Sequence, residues 1–559
     1  MRSPRPTRRI APGAALAALL TITGIALAPA APSRPAPPAG GEFVDPAVLG
    51  RLLPETESGP ERTLAASAFT TARVLPGHPL KTLRYVRASA RLHRALAQTG
   101  PGAYERKWTF LGPANVGGRI RDLAINPRNP SVMYAGAAAG GVWKSTDAGA
   151  SWKPITERFG HVAVSAIALD PKDPDTVYVG TGEETNSRPY IISAGIGIMK
   201  STDAGASWRI LPSTITDANF QVVFRLRVGS SGGALYAATR SGVMRSTDGG
   251  LTWQRVLEGV EPGYTGCEDL VIRTDRNPDV IFATCPFRAE TNVFRSIDGG
   301  ATWEAALTPP AGAPTPLGFA SLAIAPSNQD IVYASVATQD GATYGLLRSD
   351  QGGAANTWNL VNQQPFLNYC SSPRGQGFYG NAIGVDPTNP ERLWVAGVDA
   401  YRSEDGGRTF VIGGYWWAHQ EFDLDDGSAY VHADHHAIVF APNYDGAGVQ
   451  QVYFGTDGGV FRTSNDRAPL TNPDCSIRAP NDLNAVTFDS LNDGLGITQF
   501  WGGAVSGDGS TLIGGTQDNG TYVRPAGGGP NDWQLVHGGD GMRVAMAPDK
   551  SFYYTENPG

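Results

Sequence analysis

From residue 106 onward the apolar residues fall into short runs, many of them alternating with polar residues and separated by Gly, Pro, Asn and Asp. Period-two alternation between turn residues is the pattern of half-buried strands, and a sustained helical period is absent there. The first group reads as four strands: Leu123–Pro127, Val132–Gly136, Gly141–Ser145 and Trp152–Ile155. The order restarts at Ala166, Arg225, Leu270, Leu322, Ala382 and Ala437, then at Gly502 and Met542. A four-strand unit repeated in this way predicts an all-β fold, a multi-bladed β-propeller of four-stranded antiparallel blades. Counting the starts gives about 8–10 blades, the last incomplete because only two strands precede Gly559. Trp108–Leu111 reads as a stray fourth strand, of the kind that closes a ring by completing its last sheet.

Most third strands run into one pattern, Ser-x-Asp-x-Gly-x-Ser/Thr-Trp/Phe. Copies lie at Ser145–Trp152, Ser201–Trp208, Ser246–Trp253, Ser296–Trp303 and Ser403–Phe410, with a longer version at Ser349–Trp358. The aspartates Asp147, Asp203, Asp248, Asp298, Asp350 and Asp405 are expected to accept hydrogen bonds within their own tight turns. The aromatic that follows is expected to pack between blades. Turns spread round a ring cannot converge on one substrate, so these residues are read as scaffold.

The N-terminal segment has a different character. Arg2, Arg5, Arg8 and Arg9 precede an apolar stretch at 14–28 and small residues around Ala26, Ala28 and Ala30. Residues 1–30 therefore read as a signal peptide, with Arg8-Arg9 leaving a twin-arginine leader open. Residues 31–105 read as a Pro/Ala-rich linker and N-terminal extension containing one amphipathic helix over Lys81–Gln98, and 106–559 as the propeller. The expectation is a secreted or cell-surface protein with no integral membrane segment.

The chain holds 45 basic and 52 acidic residues; without the four leader arginines 41 remain against 52, a net of −11. Such a balance argues against nucleic acid as a partner. Export permits disulfides. Cys267 precedes a strand at Asp269–Arg273 and Cys285 ends the next, at Val280–Thr284. Those ends meet in an antiparallel hairpin, so Cys267–Cys285 is the expected pair; Cys370–Cys475 follows by elimination.

Ser246–Trp253 and its relatives resemble the Asp-box (BNR) repeat of sialidases, of the xyloglucanases of glycoside hydrolase family 74 and of the sortilin propeller. The wider pattern includes Gly117–Ile120, Gln376–Tyr379, His432–His436 and Gly515–Gly520. It resembles bacterial exported sortilin/xyloglucanase-like proteins over 106–559. The resemblance implies a propeller and, for two of these families, sugar hydrolysis. The family 74 segment Tyr-Ala-Arg-Thr-Asp-x-Gly-Gly-x-Tyr-Arg aligns with Tyr134–Lys144, where Ala139 stands in place of the catalytic Asp. An alanine cannot move a proton. Thr456-Asp457-Gly458-Gly459 is a similar segment in a later blade, and Gly118-Arg119-Ile120 has the Arg-Ile of the sialidase motif without its Pro.

Propeller sites lie on the face opposite the Ser-Asp-Gly turns, at the second-to-third and fourth-to-first connections. Asp399, Asp457 and Asp518 occupy second-to-third positions, and Asp540 leads into the ninth unit; these are the catalytic candidates. Arg119, Arg121, His432, Asp434, His436, Tyr379, Trp416, Trp417 and Trp501 are the ligand-binding candidates on that face. On a strand, His432, Asp434 and His436 would share one side, an arrangement compatible with a divalent metal; no other cofactor is implied. The residues favour a propeller that binds polysaccharide, or an extracellular protein or peptide, through its late blades. The alternative is a glycoside hydrolase, xyloglucanase- or sialidase-like, using an acidic pair on the same face.

Overall fold

The computed structural model describes residues 109–556 apart from 161, 186–189, 216, 231–232, 260–265, 287–292, 308, 310–312, 314–316, 365, 368–374, 418–427 and 473–482. The expected leader, linker and helix, together with Cys370 and Cys475, lie outside the described residues. No helix among those described is long and apolar enough to cross a membrane.

The described chain is built of eight four-stranded antiparallel sheets and a ninth of two strands, with one small extra hairpin. The first blade pairs Ile120–Ile125, Met133–Ala137, Gly141–Ser145 and Lys153–Pro154 in chain order. Its second strand is buried at every position, as are Val177–Thr181, Leu235–Thr239, Val280–Thr284 and Val452–Thr456 in later blades. A strand flanked by sheets on both faces must be apolar or small throughout, which explains the Val, Tyr, Ala and Gly of these runs.

The innermost strands pack in sequence: Ile120–Ile125, Val164–Leu169, Val223–Val228, Asp269–Arg273, Ala320–Ile324, Ala382–Val385 and His435–Phe440. The seventh of these lies directly against the first, so the ring closes over seven blades. Closure needs close backbone approach. A Cβ on Gly117 would sit 1.7 Å from the carbonyl oxygen of Gly458, so only glycine fits at this seam. Trp152 of the first blade donates its indole N–H to the Leu491 carbonyl at the end of the seventh (2.8 Å).

The eighth and ninth sheets stand outside that ring and pack on each other. The inner strand Phe500–Val505 of the eighth alternates between half-buried and exposed, because one of its faces has no neighbouring blade among the described residues. Residues 109–116 form no strand. They tie the ring to the eighth sheet instead: Trp533 donates to the Leu111 carbonyl (2.9 Å), and Ala114 N–H to that of Pro530 (2.9 Å).

The Ser-Asp-Gly turns are knitted internally. In the third blade Asp248 accepts from Ser246 Oγ (2.7 Å), Thr252 N–H (2.9 Å) and Thr252 Oγ1 (2.5 Å), while Gly250 N–H donates to Ser246 Oγ (2.9 Å). These donors hold the Asp248 carboxyl down at about 2. Asp147, Asp203, Asp298 and Asp405 accept equivalent bonds. Asp350 departs from the expectation. Two extra residues in its turn shift Ser349 onto Thr357 (2.6 Å), and Asp350 accepts from Arg348 Nε instead (2.8 Å). Cys267 and Cys285 are joined by a disulfide across the first hairpin of the fourth blade.

Candidate functional site

The inner strands of the first, second, third and seventh blades each carry a β-bulge at the start, at Arg121, Ser165, Phe224 and His436. A bulge turns the extra side chain out of the sheet and toward the ring axis. With Glu268, Phe319 and Asn381 from the other three blades, these residues line the channel mouth, one per blade. Trp501 occupies the same register on the eighth sheet, where it is 56% exposed.

Above the mouth the second-to-third connections bring carboxylates around one buried guanidinium. Arg119 donates through Nη1 to Glu183 (2.8 Å) and through Nε to Asp457 (3.3 Å), with Asp518 3.7 Å from Nη2. Against the opposing effect of burial, Tyr379 and the three carboxylates raise the Arg119 pKa well above its usual value. Asp457 is saturated: it also accepts from Tyr379 OH (2.6 Å) and from His436 Nε2 (2.6 Å). Those donors and the Arg119 charge hold its carboxyl far below the carboxylate range although burial opposes this. His436 accepts at Nδ1 from Arg121 (3.0 Å), which fixes the tautomer that donates to Asp457. Burial and the arginines push His436 down to about 4, so it is neutral.

Asp518 has the opposite electrostatics. Burial and the neighbouring Asp457 charge push its carboxyl up to about 8, and the proton it keeps is shared with Asp457. Its side chain remains 26% exposed, within reach of a ligand. The residue adopts φ 61°, a left-handed conformation that a β-carbon disfavours. Two contacts hold it there: its N–H donates to Asp540 (2.8 Å), and its carbonyl accepts from His432 Nε2 (2.9 Å). Gly458 makes room for that imidazole, since a Cβ there would lie 2.1 Å from the His432 ring. Asp434 lies nearby, also at positive φ, with its carboxyl pushed up by burial and by Asp457 and Asp518.

Arg119, Arg121, Tyr379, His432, Asp434, His436, Asp457, Asp518 and Asp540 are thus brought together. Several expectations need correction. The strand that includes His436 begins only at His435, so His432 and Asp434 are in the preceding loop and the three do not share a strand face. Among the described residues no group of three or more His, Cys, Asp or Glu is placed to hold a metal ion. Asp399 does not join the cluster: it is fully buried and accepts from Trp416 N–H (3.1 Å). Burial alone pushes its carboxyl up to about 7. Trp417 stacks edge-on against Tyr415 and packs on the core. Glu183 was not among the sequence candidates. It stands in the second-to-third connection of the second blade, one position beyond the place Asp457 takes in the seventh, and an acidic residue in that connection was the available signal.

No family model matches the chain. A xyloglucanase of Acetivibrio thermocellus is 29% identical over 134 residues, 23% of this chain and 16% of that protein. A xyloglucanase of a Paenibacillus species is 33% identical over 107 residues, 18% of this chain and 10% of that protein. The matched stretches thus span only a small part of these relatives. Among solved structures, the family 74 xyloglucanase of Xanthomonas campestris aligns with TM-score 0.53 and 18% identity, over 80% of this chain and 72% of that one. The family 74 enzyme of Niastella koreensis aligns with TM-score 0.50 and 18% identity, over 81% and 71%. At that identity the likeness concerns the fold, and this chain is a β-propeller similar to those of the family 74 xyloglucanases.

Proposed function

We propose that the channel face around Arg119 is a polysaccharide site where a glycosidic bond is hydrolysed, with Asp518 as general acid and Asp540 as the second carboxylate. What carries this reading is the placement of a partly exposed Asp518 carboxyl beside the buried, fully engaged Asp457, a neighbourhood that raises the proton affinity of Asp518. Glycoside cleavage needs one carboxyl that keeps its proton near neutrality and another that stays charged. Asp457 is committed to Arg119, His436 and Tyr379, so it acts by raising the proton affinity of Asp518 rather than by touching sugar. Asp540 is partly exposed and fixed to the Asp518 backbone. The exposed Trp501 ring supplies an apolar platform for a sugar face. The similarity to xyloglucanases supports a plant-type β-glucan as substrate class, and the expected leader supports a place outside the cell.

The test is hydrolysis of xyloglucan and a panel of other glucans by wild type, Asp518→Asn and Asp540→Asn, with each variant's melting temperature measured. Either substitution should lower kcat roughly a hundredfold or more, and wild-type activity should fall above about pH 8 as Asp518 loses its proton. Full activity in folded Asp518→Asn protein would refute the assignment. Ala139, in the first blade's second-to-third turn, favours a second reading, a propeller that retains glycan without cleaving it. Saturable glycan binding with no product from any substrate would establish that reading.

A further inference from the structure

Two arginines at the start of the first blade's inner strand meet different surroundings. Arg119 is buried among Glu183, Asp457 and Asp518. Arg121 stands at the bulge, which turns its side chain into the channel mouth, where it is half-buried. Its guanidinium donates through Nη1 to His436 Nδ1 (3.0 Å), its one hydrogen bond among the described residues, and lies 5.6 Å from the Tyr379 ring centre. Both neighbours are uncharged, since burial pushes Tyr379 up and His436 down. No carboxylate lies within ion-pairing distance of Arg121 among the described residues.

The other charges facing the mouth do not compensate it. Arg225 is held by Asp122 (3.3 Å) and Asp269 (3.0 Å). Glu268 lines the mouth from the fourth blade, on the far side of a seven-bladed ring from the first, and makes no ion pair with Arg121. Asp457 stands behind His436, with its charge taken up by Arg119, Tyr379 and His436. A guanidinium keeps its charge throughout the working range, and its fork matches a carboxylate through parallel N–H···O bonds. Size selects what can enter. The enclosed part of the mouth holds about 30 Å³, where one water needs roughly 10–15 Å³ counted the same way. That space admits a carboxylate and excludes a sugar ring.

We infer that Arg121 makes the outer face selective for an acidic polysaccharide: the carboxylate of a uronic acid enters the mouth and takes the Arg121 fork, while its sugar ring stays outside. The inference rests on the reading of that face as a glycan site, whether or not the glycan is cleaved. Within the β-glucan class it singles out chains that carry glucuronic acid. A neutral glucose presents a hydroxymethyl group at the same carbon, which can accept a hydrogen bond but brings no charge.

The full chain is titrated calorimetrically with cellobiouronic acid (glucuronic acid β-linked to glucose), with cellobiose and with the uronamide, each in an uncleavable S-linked form. The uronate should bind roughly tenfold to a hundredfold tighter than the two uncharged sugars, and added salt should erode that advantage. Arg121→Gln should bring the ratio of uronate to cellobiose affinity close to one, whatever it does to absolute affinity. Equal affinities in wild type, a uronamide as tight as the uronate, or a preserved ratio in folded Arg121→Gln would each overturn the inference. So would N-acetylglycylglycine binding as tightly as the uronate, which would mark the mouth as a site for peptide carboxylates. The comparison of uronate with uronamide needs no variant, so a folding defect in Arg121→Gln would not protect the idea. Cellobiose bound without any preference for the uronate defeats this inference alone, whereas no binding of either sugar defeats the glycan reading of the face as well.

Discussion

Replacing Asp518 with Asn should make the protein more stable in alkali while removing the proposed acid. The Asp518 carboxyl rises from its ordinary 3.8 to about 8 in the folded chain. A group that binds its proton more tightly when folded costs stability once the pH exceeds its unfolded value, and the full cost is present above its folded value. The penalty therefore grows from about pH 4 to about pH 8 and then levels. At about 1.4 kcal/mol per tenfold change in proton affinity, the upper bound is near 5 to 6 kcal/mol. Partial exposure of the side chain and its sharing of a proton with Asp457 reduce the expected gain to about 2–3 kcal/mol. Asn keeps an N–H donor toward Asp457 but has no charge to desolvate. In a chain of this length each kcal/mol moves Tm by about 1 °C. Calorimetry at about pH 9 should thus place Asp518→Asn about 2–3 °C above wild type, with the gap closing toward about pH 5. Equal melting at both pH values, or a gap that widens in acid, would refute the electrostatic reasoning.

Arg119→Met leaves Glu183, Asp457 and Asp518 without their shared cation and should cost about 3–5 kcal/mol, read from the urea midpoint. His432→Ala releases the Asp518 carbonyl; on the hydrolase reading kcat should fall roughly tenfold, KM should change little and the alkaline limb of the pH profile should move. Trp152→Phe removes the indole bond to Leu491 at the ring seam and should lower stability by about 1–3 kcal/mol in chemical denaturation. Opening the Cys267–Cys285 loop, 18 residues apart, should cost about 3 kcal/mol. The Cys267→Ser/Cys285→Ser variant and reduced wild type should then melt together.

Much of the site was legible because propeller positions repeat. Asp457, Asp518 and Arg119 stand in recognisable segments at strand ends, and strand order alone sends those ends to one face. Glu183 stood in the corresponding connection one position later, and its segment, Gly182-Glu183-Glu184, lacks the glycine pair that drew attention to Asp457-Gly458-Gly459. Asp399 illustrates the reverse error. It stands in the same second-to-third connection as Asp457, but just before the third strand rather than just after the second; the Trp416 backbone N–H caps it and no arginine pairs with it among the described residues. Position in a repeat tells where a side chain starts, while burial decides whether a ligand can meet it.

The blades follow from local sequence: period-two strands, glycine-permitted turns and the Ser-Asp-Gly hydrogen bonds act within a few dozen residues. Local sequence also determined which side of each sheet bears the candidate chemistry. Ring size was a tertiary outcome. Closure over seven blades depends on the angle at which neighbouring sheets pack and on contacts such as Gly117 against Gly458, more than three hundred residues apart. The opposite protonation of Asp457 and Asp518 was decided there too. Both are aspartates in similar turns, and only the folded ring brings His436 and Tyr379 to Asp457 and sets Arg119 nearer to it (3.3 Å) than to Asp518 (3.7 Å), which is left beside the Asp457 charge.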